Sequence, residues 1–121
     1  MRALLFVIAA TVLIAPSLDA GEALALRVSP SVAIAPATVV VNAAAVHDPG
    51  NRGLRIQIES AEYYRCSVIQ LDGDRAPTTT TVRYEGVPGG VYEVQATLFG
   101  SGGRTVAVNS RTVEILSNRG Q

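Results

Sequence analysis

The sequence predicts an all-β fold: one antiparallel β-sandwich of about seven strands over residues 24–116, preceded by an N-terminal targeting segment. Three observations carry this reading. No stretch after residue 25 has helical periodicity. Apolar residues instead alternate with polar ones in short runs. Clusters of Pro, Gly, Asn and Asp separate those runs at regular spacing. Two sheets are required because each such strand has one apolar face to bury.

The elements follow in order. Leu24, Leu26 and Val28 alternate with Ala25 and Arg27 and stop before Pro30. After Pro36, residues Ala37 to Val46 make a longer strand in which Val39, Val41 and Ala43 share one face. His47-Asp48-Pro49-Gly50-Asn51 is dense in turn formers. Leu54, Ile56 and Ile58 alternate with Arg55, Gln57 and Glu59, so the polar face of that strand must see water. Tyr63 to Leu71 is the next β-rich run, closed by Asp72-Gly73-Asp74. Thr78 to Tyr84 is β-branched, with Val82 and Tyr84 inward and Arg83 and Glu85 outward. Beyond Pro88-Gly89-Gly90, residues Tyr92, Val94, Ala96 and Leu98 alternate with Glu93, Gln95 and Thr97. Gly100-Ser101-Gly102-Gly103 is a hairpin loop, and Thr105 to Leu116 pairs back with Val113 and Ile115 inward. Residues 117–121 form a polar, flexible tail.

The N-terminus reads as a signal peptide over residues 1–20. Arg2 supplies a positive flank, and Ala3 to Ala15 is an uninterrupted apolar run ended by Pro16-Ser17. That run is too short for a membrane span, which needs roughly 20 residues. Cleavage after Ala20 is the first choice, although Leu18 is large for its position. Ala23-Leu24-Ala25 fits the small-x-small pattern better but lies farther away, so the site stays open between residues 20 and 25. A retained N-terminal anchor is the minor alternative. No cysteine stands near the end of the apolar run, so no thiol is there to be acylated. The expected address is secreted or periplasmic, an oxidising compartment.

Composition narrows the classes further. The 121 residues imply one domain. Ten basic residues balance ten acidic ones, which favours neither nucleic acid nor an anionic membrane as partner. With no Trp, two Phe and four Tyr, the core must be built from Val, Ile, Leu and Ala.

The stretch Val87-Pro88-Gly89-Gly90-Val91-Tyr92-Glu93-Val94-Gln95-Ala96-Thr97-Leu98 resembles the P-G-x-Y-x-V-x-A segment of bacterial immunoglobulin-like modules, the PKD-like and fibronectin-type-III-like families. The glycine-rich loop after it and Val113-Glu114-Ile115 fit as well. So do Ser29-Pro30 and Ala35-Pro36-Ala37-Thr38-Val39, which resemble the passage from the first to the second strand. The resemblance implies an immunoglobulin-like sandwich in which Tyr92 opens the penultimate strand and returns its hydroxyl to backbone as a tyrosine corner. It implies extracytoplasmic interaction, spacer or carbohydrate-contact roles, and no single activity. The inter-sheet disulfide and core tryptophan of true immunoglobulin domains are missing from this sequence.

No residue set reads as catalytic, metal-binding or cofactor-binding. His47 beside Asp48 could orient an imidazole, but no nucleophile motif serves it, and Asp is favoured in such a turn for local hydrogen bonding. Asp72 and Asp74 give two carboxylates where calcium needs six to eight oxygens, so a turn explains them better. Thr78 to Thr81 reads as a β-branched edge strand, ahead of a glycosylated or polysaccharide-binding surface. Cys66 has no intramolecular partner; the favoured reading is a small buried hydrophobe, and the other is an intermolecular disulfide or reactive thiol.

Tyr63-Tyr64-Arg65 is the candidate interaction surface. Strand alternation sends Tyr63 and Arg65 one way and Tyr64 and Cys66 the other. A Tyr63–Arg65 pair has the composition of an interface hot spot or a sugar platform. The plainer reading puts Tyr64 in the core and Tyr63 on the solvent face under Arg65. The expected function is a non-catalytic binding or structural module. Its partner would be an unknown envelope protein, or less favourably polysaccharide. A small secreted hydrolase or inhibitor is the remaining alternative.

Overall fold

Alternation of apolar side chains leaves each strand one face to bury, and the chain satisfies this by stacking two sheets. The computed structural model describes residues 23–117, which form eight strands. They are β1 (Leu24–Ser29), β2 (Val32–Ile34), β3 (Ala37–Ala45), β4 (Gly53–Glu59), β5 (Tyr64–Gln70), β6 (Thr79–Val87), β7 (Gly90–Phe99) and β8 (Thr105–Leu116). One sheet has the order β1-β3-β6 and the other β2-β8-β7-β4-β5. Among the described residues no helix is long and apolar enough to cross a membrane. The expected signal peptide, residues 1–20, lies outside the described residues, as does the expected tail beyond Ser117.

The core is aliphatic, as composition requires. Val39, Val41 and Ala43 of β3 face Leu54, Ile56 and Ile58 of β4, and all six are buried. Val94, Ala96 and Leu98 of β7 and Val113 and Ile115 of β8 complete the five-stranded side. Tyr84 and Tyr92 are the buried aromatics, with Val82 half-buried beside the core.

Two features differ from the sequence expectation. An eighth strand, β2, lies between Pro30 and Pro36. Its three residues are too few to show alternation, and Val32 and Ile34 both stand exposed. The sandwich is also not wholly antiparallel, because β2 pairs parallel with β8, Val32 beside Glu114 and Ile34 beside Leu116. Every other pair is antiparallel.

Two turns lock together at one end. The Asp48 carboxylate accepts the Gly50 N–H at 2.7 Å, so it is engaged in its own turn while His47 stands exposed. Asn51 is buried; its amide donates to the Val46 carbonyl at 3.0 Å and its carbonyl accepts the Gly73 N–H at 3.1 Å. The Asp72–Asp74 turn is therefore pinned from below by loop backbone, and Asp72 reaches only Arg75, at an exposed 3.9 Å.

Candidate functional site

The β5 margin of the five-stranded sheet gathers the residues singled out in the sequence. Ile58 pairs with Arg65, Ile56 with Ser67 and Leu54 with Ile69. Opposed residues share a face, so Arg65, Ser67 and Ile69 lie on the core side. Tyr64, Cys66 and Val68 consequently lie on the outer side with Glu59, Gln57 and Arg55.

This reverses the expected polarity of the strand. Tyr64 is 55% exposed and Val68 69%, and Cys66 is exposed rather than buried. The physical reason is position: β5 is the last strand of its sheet, so its core-side residues need not be apolar. Ser67 takes such a place because the Tyr84 hydroxyl reaches across from β6 to meet it at 2.8 Å. Tyr84 also lies 3.3 Å from the Ile56 carbonyl, tying the two sheets together.

Tyr63 precedes β5 and is half-buried. Its ring meets Tyr92 edge-on, with centroids 5.7 Å apart and planes at 85°. The Arg65 guanidinium lies 5.6 Å above the Tyr63 ring, so the cation–π pairing exists, with the ring packed against the core. Tyr92 is 1% exposed, and its hydroxyl donates to the Pro88 carbonyl at 2.7 Å. The structure thus stacks Arg65, Tyr63 and Tyr92 from rim to core and sets Tyr64 and Cys66 apart from them.

Burial raises the Tyr84 hydroxyl above its ordinary value against a lowering bond from Ser67, and burial likewise raises Tyr92. The exposed Tyr64 phenol is raised first by hydrogen bonding with the Cys66 thiol, two residues along the same face. For Tyr84 and Tyr92 the folded chain keeps a proton that the unfolded chain releases near pH 10. Their contribution to stability is therefore whole below about pH 10 and is lost as pH rises towards the folded values. Urea midpoints measured from pH 8 to 11 are expected to fall above about pH 10, less steeply in Tyr84→Phe. A flat profile in both proteins would contradict this.

Elsewhere, a groove of about 740 Å³ lies over the three-stranded sheet beside β8, lined in part by Arg27, Asn42, Asn109 and Arg111. Its described lining includes no aromatic ring. On the outer face of the larger sheet, Arg55 lies 5.1 Å over the Phe99 ring, and its buried Nε has no hydrogen-bond partner. Among the described residues no group of three His, Cys, Asp or Glu side chains could hold a metal ion. Sequence reasoning missed the groove because its residues come from four separate strands.

No protein-family model matches the chain, and no curated protein matches it. Solved structures do. A superoxide reductase (neelaredoxin) from Ignicoccus hospitalis superposes with a TM-score of 0.62 at 9% identity, covering 83% of this chain and 86% of that one. A family 76 glycoside hydrolase from a bovine Bacteroides thetaiotaomicron strain gives 0.53 at 18% identity, over 75% of this chain and 20% of the hydrolase. A fibronectin(III)-like module of CbhA from Clostridium thermocellum gives 0.47 at 13% identity, over 78% and 99%. At such identities the likeness to the first two is one of fold alone.

Proposed function

We propose that this chain is a non-catalytic binding and structural module of immunoglobulin-like architecture, working outside the cytoplasm and engaging a protein through the β5 margin. The observation that carries it is the exposure of Tyr64, Cys66 and Val68 along a strand with no neighbour on its far side among the described residues. Exposed sheet edges recruit extended partners through main-chain hydrogen bonds, with alternate side chains setting specificity.

The sequence of the first twenty residues supports the address. Cleavage after Ala20 leaves β1 whole. Cleavage after Ala25 would strip away Leu24, which is 0% exposed in the core. An envelope protein is preferred to polysaccharide as partner because sugar sites stack aromatic rings. Among the described residues Tyr64 is the one exposed aromatic, and the polar groove carries none.

The test is capture from an envelope fraction by the tagged chain. Tyr64→Asp is expected to reduce recovery of the specific partner about tenfold, the loss typical of a hot-spot side chain. Arg65→Ala, which disturbs the Tyr63 stack but not the outer face, is expected to have a smaller effect. Equal recovery by wild type and Tyr64→Asp would overturn the β5 assignment.

A further inference from the structure

The described sheet edges differ in how they are guarded. β2 is three residues long and bracketed by Pro30 and Pro36. β1 lies against β8, where the Asn109 amide donates to the Leu24 carbonyl at 2.9 Å. β6 carries the Arg83–Glu85 ion pair at 3.6 Å. By contrast β5 is seven residues long, has no Pro and no carboxylate, and pairs with β4 without a bulge. Short strands, prolines, charges and bulges are what keep edges from pairing, and β5 uses none of them beyond Arg65.

Register decides which backbone groups are open. Leu71 donates to Arg52 and Ser60 donates to Tyr63, which sets the phase of the β4–β5 ladder. Hydrogen-bonded pairs alternate in an antiparallel ladder, so Arg65, Ser67 and Ile69 bond to β4. Tyr64, Cys66, Val68 and Gln70 then turn their N–H and C=O groups to the open side. These residues also carry the outward side chains, and the more apolar parity of β5 is the one in solvent.

We propose that β5 pairs antiparallel with β5 of a second copy of this chain, about a two-fold axis at Cys66. This rests on the β5 margin being the binding surface and names its occupant. The axis makes Tyr64 face Val68 of the second copy on both sides, and sets the two Cys66 residues opposite each other. Aromatic with β-branched is a favourable cross-strand pairing. Arg65 faces Ser67 and Glu62 faces Gln70, so no like charges are opposed. Moving the axis to Ser67 would oppose Glu62 to Asp72, two carboxylates. The hydrogen-bonded pairs on the Cys66 axis, Tyr64 with Val68 and Cys66 with Cys66, use N–H and C=O groups that the β4 ladder leaves open. The product is one continuous ten-stranded sheet.

Sedimentation of the full chain under reducing conditions tests this. A dimer fraction is expected to rise with concentration between about 1 and 500 μM. Val68→Lys places a charge at the seam, and Val68→Pro removes an N–H that β4 does not use. Each is expected to weaken the dimer at least about tenfold while the thermal melt of the monomer persists. A second readout fixes the register. Opposed Cys66 residues would have Cα atoms about 5.5 Å apart, within disulfide range, whereas the Ser67 axis would leave them about 7–8 Å apart. Oxidised glutathione should therefore convert two thiols to one interchain disulfide, releasing two reduced glutathiones, faster in wild type than in Val68→Lys. Cys66→Ser should still dimerise without the covalent link. A monomer at every concentration, a dimer indifferent to both Val68 variants, or no cross-link would overturn the proposal. Envelope-partner capture that persists with a monomeric chain would remove the second copy as occupant and leave the binding role standing.

Discussion

Tyr92→Ala is expected to lower the unfolding free energy by about 3–5 kcal/mol, the cost of deleting a fully buried aromatic from a core that cannot close over the gap. A domain of this size has about 5–15 kcal/mol in all, so the variant should sit near the edge of folding. The loss has several origins. Tyr92 is 1% exposed in β7, between β4 and β8 in its sheet. Its hydroxyl closes the Pro88 turn at 2.7 Å, and its ring is the surface on which Tyr63 rests at 5.7 Å. Tyr92→Phe separates these contributions, because it keeps the ring and deletes one hydrogen bond, costing about 1–2 kcal/mol. Urea denaturation of both variants measures the difference. A Tyr92→Ala loss no larger than that of Tyr92→Phe would mean that the ring adds little.

The second large effect comes from a residue with no side chain. Gly73→Ala is expected to cost about 2–3 kcal/mol. Gly73 has φ +52°, and a Cβ there would stand 2.7 Å from the Pro49 carbonyl oxygen. That oxygen belongs to the loop whose Asn51 carbonyl accepts the Gly73 N–H, so backing away breaks the contact between the two turns. Gly86 is the control: φ is +69° and nothing lies within 4 Å of its Cβ. Thermal melts should show a fall of about 10 °C or more for Gly73→Ala and a smaller one for Gly86→Ala, given the usual 4–8 °C per kcal/mol in a small domain. Equal shifts would place the whole effect in backbone conformation and none in the packed loop.

Much of the fold is legible in the sequence where a strand lies between neighbours. Leu54, Ile56 and Ile58 must face inward because β4 is flanked on both sides and covered by the second sheet, and the same holds for Val94, Ala96 and Leu98. Legibility ends at the margins. In β5 hydropathy selects Tyr64, Cys66 and Val68 as the core parity, yet the sheet turns that parity outward. Nothing in residues 63–71 alone reveals this. It depends on register with β4 and on a tyrosine from β6 that satisfies Ser67. Three-residue β2 leaves no periodic trace. Composition points to the stretch around Tyr63 and Arg65, but which of its residues face solvent is set by partners distant in sequence.

The parallel pairing of β2 with β8 has a mechanical consequence. Glu114 donates to Ser31 at 2.9 Å and Ala35 donates to Leu116 at 2.8 Å. The chain passes from β1 into the start of β2 and leaves β8 at its far end, and β2 and β8 run in the same direction. Tension between residues 23 and 117 would therefore slide them past each other and load these bonds together in shear. Peeling, which breaks bonds one after another, would need a pull across the sheet. A module strung between two attachment points would resist extension at this short seam once β1 had parted from β3.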